Sequence, residues 1–239
     1  MALRYGLPLF LEDKTGRLTG SEFIDLYDRM KLMYRRLSRD PTCTDYGVFD
    51  ITYGGYEAYD VPKITLKFGA DNSLGTIKVG RNDPIAMETY LPRVTIFSKC
   101  NPFCRPFNKY ILIVISSKSR HYIASDGQQY RWRHRYAIDQ EWAVSLLILF
   151  NRRWHWYNAP GGWQCTNSNG EVISYYSLKL FGEPHYPTSS GCMLTVEENY
   201  PHLACGNESL LFGRLKILIL QIEMLATAMI MRHINAHNL

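Results

Sequence analysis

The sequence has no Gly-x-Gly-x-x-Gly, no P-loop, no Gly-x-Ser-x-Gly and no His-Glu-x-x-His. A phosphate cradle, a nucleophile elbow and a zinc-binding histidine helix are therefore not announced. This argues against nucleotide-driven and common hydrolase chemistry, although an enzyme can dispense with such motifs. Charged residues make up only 21% of the chain, too few for a disordered polymer. No repeat, low-complexity tract or linker divides the sequence. The apolar segment Asn207 to Arg232 lacks a long uncharged run, whereas a membrane span needs roughly 20 mostly apolar residues in a row. The opening MALRYGLPLFLEDK lacks the sustained apolar core of a signal peptide, being interrupted by Pro8 and ended by Glu12 and Asp13. A cytoplasmic chain is expected, with its six cysteines mostly reduced. A structural zinc site usually shows two tight ligand pairs, and here only the loose pair Cys100 and Cys104 is visible. No metal and no cofactor are expected.

What is present is a hydrophobic fraction of 46% in 239 residues, enough for a sizeable core. Lysine and arginine (27) exceed aspartate and glutamate (22), a mildly basic balance that permits an acidic partner. The segment Asn207 to Arg232 is the organising element. It is rich in Leu, Ile, Met and Ala, has no proline and is apolar on nearly every side. A helix of that kind must be surrounded. Arg214, Lys216 and Glu223 interrupt it, which favours a buried helix over a membrane-lying one.

Ahead of it, strand signals dominate. Ile64, Leu66 and Phe68 alternate, Thr76 to Val79 follows a turn at Asp71 to Ser73, and Tyr110 to Ser116 is β-branched and apolar. Val172 to Phe181 and Met193 to Val196 read as further strands. Prolines 84, 92, 102 and 106 exclude long helices there. In the first 60 residues, Thr19 to Leu37 predicts an amphipathic helix. Thr19 and Glu22 match a capping box, and Phe23, Leu26, Tyr27, Met30, Met33, Tyr34 and Leu37 recur at helical spacing. Residues 40–59 read as irregular. The expected class is mainly β (α+β): a curled antiparallel sheet or barrel enclosing a hydrophobic C-terminal helix. Residues 1–60 would be a helical and irregular extension, and residues 61–239 the barrel.

The sharpest local signal is His121 to Arg135. Asp126-Gly127 suits a tight hairpin turn. Beyond it Tyr130 and Trp132 should face one way and Arg131, Arg133 and Arg135 the other. The stretch from Ile123 to Arg133 resembles the DG-x-x-Y-x-W hairpin of fungal tubby-like families. The order of strands and terminal helix over Val61 to His233 is similar to that of tubby C-terminal domains and their relatives, the phospholipid scramblases. The resemblance implies a barrel threaded by the C-terminal helix and a lipid-binding role, because tubby recognises phosphoinositide headgroups. It carries over no lipid-contacting residue, and the acylated scramblase segments are absent.

Two groups could form a site. Lys118, Arg120, Arg131, Arg133 and Arg135 would make a basic face if the hairpin arms pair, and arginine forks suit phosphate oxygens. An anionic lipid or a small anionic ligand is the expected partner, with peripheral membrane association. Nucleic acid is disfavoured, and the oligomeric state is left open. Trp154, Trp156, Trp163, Tyr175 and Tyr176 are the alternative, lining a pocket for a small molecule or a cofactor-independent reaction. A third possibility is partner binding through the basic N-terminal helix.

Overall fold

The computed structural model describes residues 8–38, 44–53, 61–94, 119–135, 162–177, 190–197 and 210–239, with backbone alone for Arg135 and residues 210–216. The expected strand at Tyr110 to Ser116 lies outside these residues, as does the apolar run Val144 to Phe150, which reads as a strand or a short helix.

The N-terminal strands are β1 (Leu9–Asp13), β2 (Gly20–Asp25), β3 (Lys31–Arg36) and β4 (Asp45–Asp50). Next come β5 (Ile64–Lys67), β6 (Thr76–Val79), β7 (Ile85–Ala86) and the short helix α1 (Met87–Tyr90). The second half holds β8 (Arg120–Ile123), β9 (Gln129–Arg135), β10 (Gly162–Asn167), β11 (Val172–Ser177) and β12 (Cys192–Val196). Helix α2 (Leu210–His237) ends the chain.

The strands form one antiparallel sheet in the order β7-β6-β5-β4-β3-β2-β1-β12-β11-β10-β9-β8. Strand β1 pairs with both β2 and β12, so it joins the two halves of the chain. The ladder does not close among the described residues, and β7 and β8 are its edges. Residues just after β7 and α1 nevertheless lie beside β8. Arg93 and Arg120 form an antiparallel bridge, and the Val94 and His121 amides donate to the Ser119 and Pro92 carbonyls.

The expected N-terminal helix is not formed: residues 20–36 are the β2–β3 hairpin. The physical reason is Asp25. Its carboxylate is fully buried and accepts hydrogen bonds from the Tyr27, Arg29 and Phe10 amides. The Arg29 guanidinium pairs with it at 2.8 Å, and Asp28 takes a positive φ of 55° to complete the turn. Two short alternating strands folded about that turn mimic helical spacing, because the hairpin repeats its apolar positions in mirror order. Phe23 and Leu32 then meet across the ladder, both buried. Residues 45–50, expected to be irregular, form β4. Its pairing with β5 runs across residue 60, so the ladder shows no boundary there.

Register places one row of side chains inward on every strand but the edge strand β7, whose two residues are exposed. Leu9, Leu11, Phe23, Leu32, Val48, Ile64, Leu66 and Ile77 line the N-terminal half, and Tyr122, Trp132, Trp163, Tyr176 and Leu194 the other. Against them packs α2, which is buried on every side from Leu220 to Ile234. The stretch Ile217–His237 is long and apolar enough to cross a membrane, but 78% of its apolar window lies inside the protein. Each fully buried Leu, Ile or Met contributes about 1.5–3 kcal/mol.

Polar bonds fix the helix from several directions. Ser125, in the β8–β9 turn, donates both its amide and its hydroxyl to Glu223 at 2.9 Å. Trp132 Nε1 donates to Thr227 Oγ1 at 2.9 Å, and Arg232 reaches Asp13 of β1 at 3.1 Å. His233 stacks on Phe68 with ring centroids 3.8 Å apart, and its Nε2 lies 2.8 Å from the Asn72 carbonyl.

Burial, reinforced by nearby His237, pushes the His233 pKa down, against the opposing bond to Asn72. The unfolded chain takes up this proton first, near the ordinary histidine value of about 6.5. Stability from His233 is therefore full above that pH and is lost as pH falls through the lowered folded value. Unfolding curves between pH 7.5 and 5 should show this slope, and His233→Gln should flatten it. An unchanged slope in the variant would assign the pH dependence to other groups.

Candidate functional site

The β8–β9 hairpin turns at Asp126 and Gly127, the latter at φ 77°, a backbone region that glycine enters without strain. Register pairs Arg120 with Trp132, His121 with Arg131 and Tyr122 with Tyr130. Since paired residues share a face, Arg131 and Arg133 point outward and Tyr130 and Trp132 inward. The inward pair is almost fully buried. Tyr130 donates to Asp126 at 2.6 Å, which ties the strand to its own turn.

The outward arginines are half-buried. The Arg133 guanidinium donates to Gln164 Oε1 of β10 at 3.3 and 3.4 Å. Arg131 Nε is buried and has no hydrogen-bond partner. Burial, then the like charge of Arg133, hold the Arg131 pKa below the usual guanidinium value. Neither arginine forms a salt bridge among the described residues. His121 adds a third basic side chain opposite Arg131. Arg135 continues the row at strand level, opposite Gly162. Lys118 lies outside the described residues.

Arg120 does not join this face, contrary to the expectation from sequence. It occupies an inward position opposite Trp132 and is only 2% exposed. Its parity along β8, not its charge, decides its side. The basic face therefore contains Arg131, Arg133 and the backbone position of Arg135, with His121 in place of Arg120.

Among the described residues, the aromatic group is divided between the two faces of the sheet. Trp163 and Tyr176 pair across β10 and β11, face inward and are fully buried. Tyr176 donates to Asp13 at 2.7 Å, and His134 meets Trp163 edge-on with centroids 4.8 Å apart. Tyr175 is on the opposite face, beside Gln164. Alternation along the strand separates the two adjacent tyrosines. Trp154 and Trp156 lie outside the described residues. An open cleft of about 420 Å³ does exist on β1–β3, between Lys14, Glu22, Met33 and Arg35, but it shares no residue with the aromatic group. Among the described residues, no three His, Cys, Asp or Glu side chains converge as metal ligands.

Buried carboxylates on β1 and β2 escaped the sequence reading, among them Glu12, Asp13 and Asp25. Asp13 and Asp25 occupy inward positions of β1 and β2, and both are fully buried. The available signal was an acid on the apolar parity of a strand, as in Leu9, Leu11, Asp13. Such a residue needs an internal cation or several donors. Asp13 has both.

What the outward face offers chemically is two half-buried guanidinium forks, two residues apart on one strand face and in no salt bridge with a described carboxylate. That combination suits the oxygens of a phosphate or another oxyanion. No family model matches the chain, and no curated protein or solved structure is significantly similar to it.

Proposed function

We propose that the chain is a binding protein of tubby-like barrel fold that recognises an anionic lipid headgroup, or a similar anionic ligand, through the outward face of β8–β10. It would act at the cytoplasmic surface of a membrane as a peripheral protein. The observation that carries this reading is the pair Arg131 and Arg133, half-buried, adjacent and unpaired with any described carboxylate. A solvated strand face kept charged only against aggregation has no need to bury part of its guanidinium groups. The barrel itself is supported by the Arg93–Arg120 bridge between the two ends of the sheet and by a helix buried on all sides.

Flotation of the full chain with vesicles containing phosphatidylserine or a phosphoinositide tests this, at two salt concentrations. Binding should weaken at high salt, because exposed charges are screened. Each basic residue near an anionic surface is worth about 1 kcal/mol, so reversing two should weaken binding by roughly 100-fold or more. The variant is Arg131→Glu with Arg133→Glu. Binding that survives this change undiminished removes the face from consideration.

A further inference from the structure

A second arginine pair lies where the two ends of the sheet approach. Arg93 and Arg120 are bridge partners, one exposed and the other 2% exposed. Arg120 spends one nitrogen, Nη1, on the Leu91 carbonyl at a long 3.3 Å. Its Nε and Nη2 are buried and have no hydrogen-bond partner. Burial and the like charge of Arg93 both lower the Arg120 pKa, and Glu88 opposes them. Buried guanidinium groups normally carry a counter-ion and satisfied donors, since an unpaired buried charge is strongly destabilising.

No described carboxylate forms a salt bridge with Arg120, and acids are scarce in the local sequence. Between Glu88 and Asp126 there is no aspartate or glutamate. The same stretch carries Arg93, Lys99, Arg105, Lys109, Lys118 and Arg120. Two bridged arginines whose like charges act on each other, and unused donors on the buried one, together describe a site short of one anion.

We infer that Arg93 and Arg120 form an anion site distinct from the outward face, taking a compact oxyanion of the phosphate class. The anion would accept from Arg120 Nε and Nη2 and relieve the repulsion between the two arginines. It would thereby fasten residues 92–94 to β8, across the gap between the sheet's edges. The phosphate could be free or carried on a larger molecule, and the shared chemistry is the doubly charged oxyanion.

The experiment is a thermal-unfolding titration of the full chain with inorganic phosphate against chloride at matched ionic strength, repeated with glycerol 3-phosphate. Wild type should gain about 3–6 °C when phosphate exceeds its dissociation constant tenfold. Arg93→Met, at an exposed position, should lose most of that gain while folding normally. Arg120→Met should abolish it, and in chloride should unfold no earlier than wild type, because it removes an unpartnered buried charge. Arg131→Met with Arg133→Met should keep the full gain, which separates this site from the outward one. A glycerol 3-phosphate gain equal to or above that of phosphate indicates a carried phosphate, and a smaller gain a free one. The inference is overturned if phosphate does not shift wild type, or if the shift is equally large in Arg93→Met and Arg120→Met.

Discussion

Replacing Arg232 by methionine should lower the unfolding free energy by about 3–5 kcal/mol, because it leaves the Asp13 carboxylate buried without its cation. Asp13 is a hub. One oxygen accepts from the Thr15 and Gly16 amides and from the Ser21 hydroxyl. The other accepts from Tyr176 at 2.7 Å and from Arg232 at 3.1 Å. Arg232 in turn donates to the Gly16 carbonyl at 2.6 Å and covers the Tyr176 ring at 5.1 Å. The helix, β1, the β1–β2 turn and β11 thus meet at one charge pair.

The pair as a whole is worth much less than the damage done by breaking it. Desolvating both ions offsets most of their attraction, so a matched apolar replacement is far milder. Urea unfolding of Arg232→Met, Asp13→Asn and the double variant measures this. The two single changes should not add, and the double variant should be more stable than their sum predicts. If Arg232→Met lies within about 1 kcal/mol of wild type, the ion pair is not what holds α2 to β1.

Trp132→Ala should cost about 3–5 kcal/mol, the range for emptying a buried aromatic site. The indole is fully buried between the sheet and α2, and its Nε1 donates to Thr227. Thr227 also donates back to the Glu223 carbonyl at 2.8 Å, so the hydroxyl is used on both sides. Trp132→Phe keeps most of the volume and removes only the indole donor, and should cost about 1–2 kcal/mol. Thr227→Val leaves the Trp132 N–H buried and unpaired and should cost about 1–3 kcal/mol. Urea midpoints at unchanged slope would establish all three. A loss below about 2 kcal/mol for Trp132→Ala would mean that the site collapses around the gap.

Much of the second half of the fold was legible. The β8–β9 hairpin follows from Asp126-Gly127 between alternating residues, and α2 from a long run of apolar helix formers. Strands β5, β6, β11 and β12 appear where alternation is clean. The first half was misread for an identifiable reason. Asp25 turns the chain by collecting backbone amides from Phe10, Tyr27 and Arg29, and no window of local sequence reveals that collection. Without it, Phe23, Met30, Met33 and Leu37 look like a helical stripe. The arginine row was read correctly from period two, whereas Arg120 was grouped by charge when parity sent it inward. The same rule divides the described aromatics, since adjacent residues such as Tyr175 and Tyr176 take opposite faces of a strand.

The pairing of β1 with β12 also has a kinetic side. Leu9 meets Val196, and Asp13 meets an arginine more than two hundred positions later. Until those late residues emerge from the ribosome, β1 has one bare edge and its aspartate no cation. Contacts so distant along the chain require loop closure before they return any energy, so the final step of folding should be slow. During that wait, strands β1–β7 can form their own ladder yet present an uncovered apolar face. A nascent chain in that condition is a natural client for a chaperone, and its exposure ends only when α2 docks.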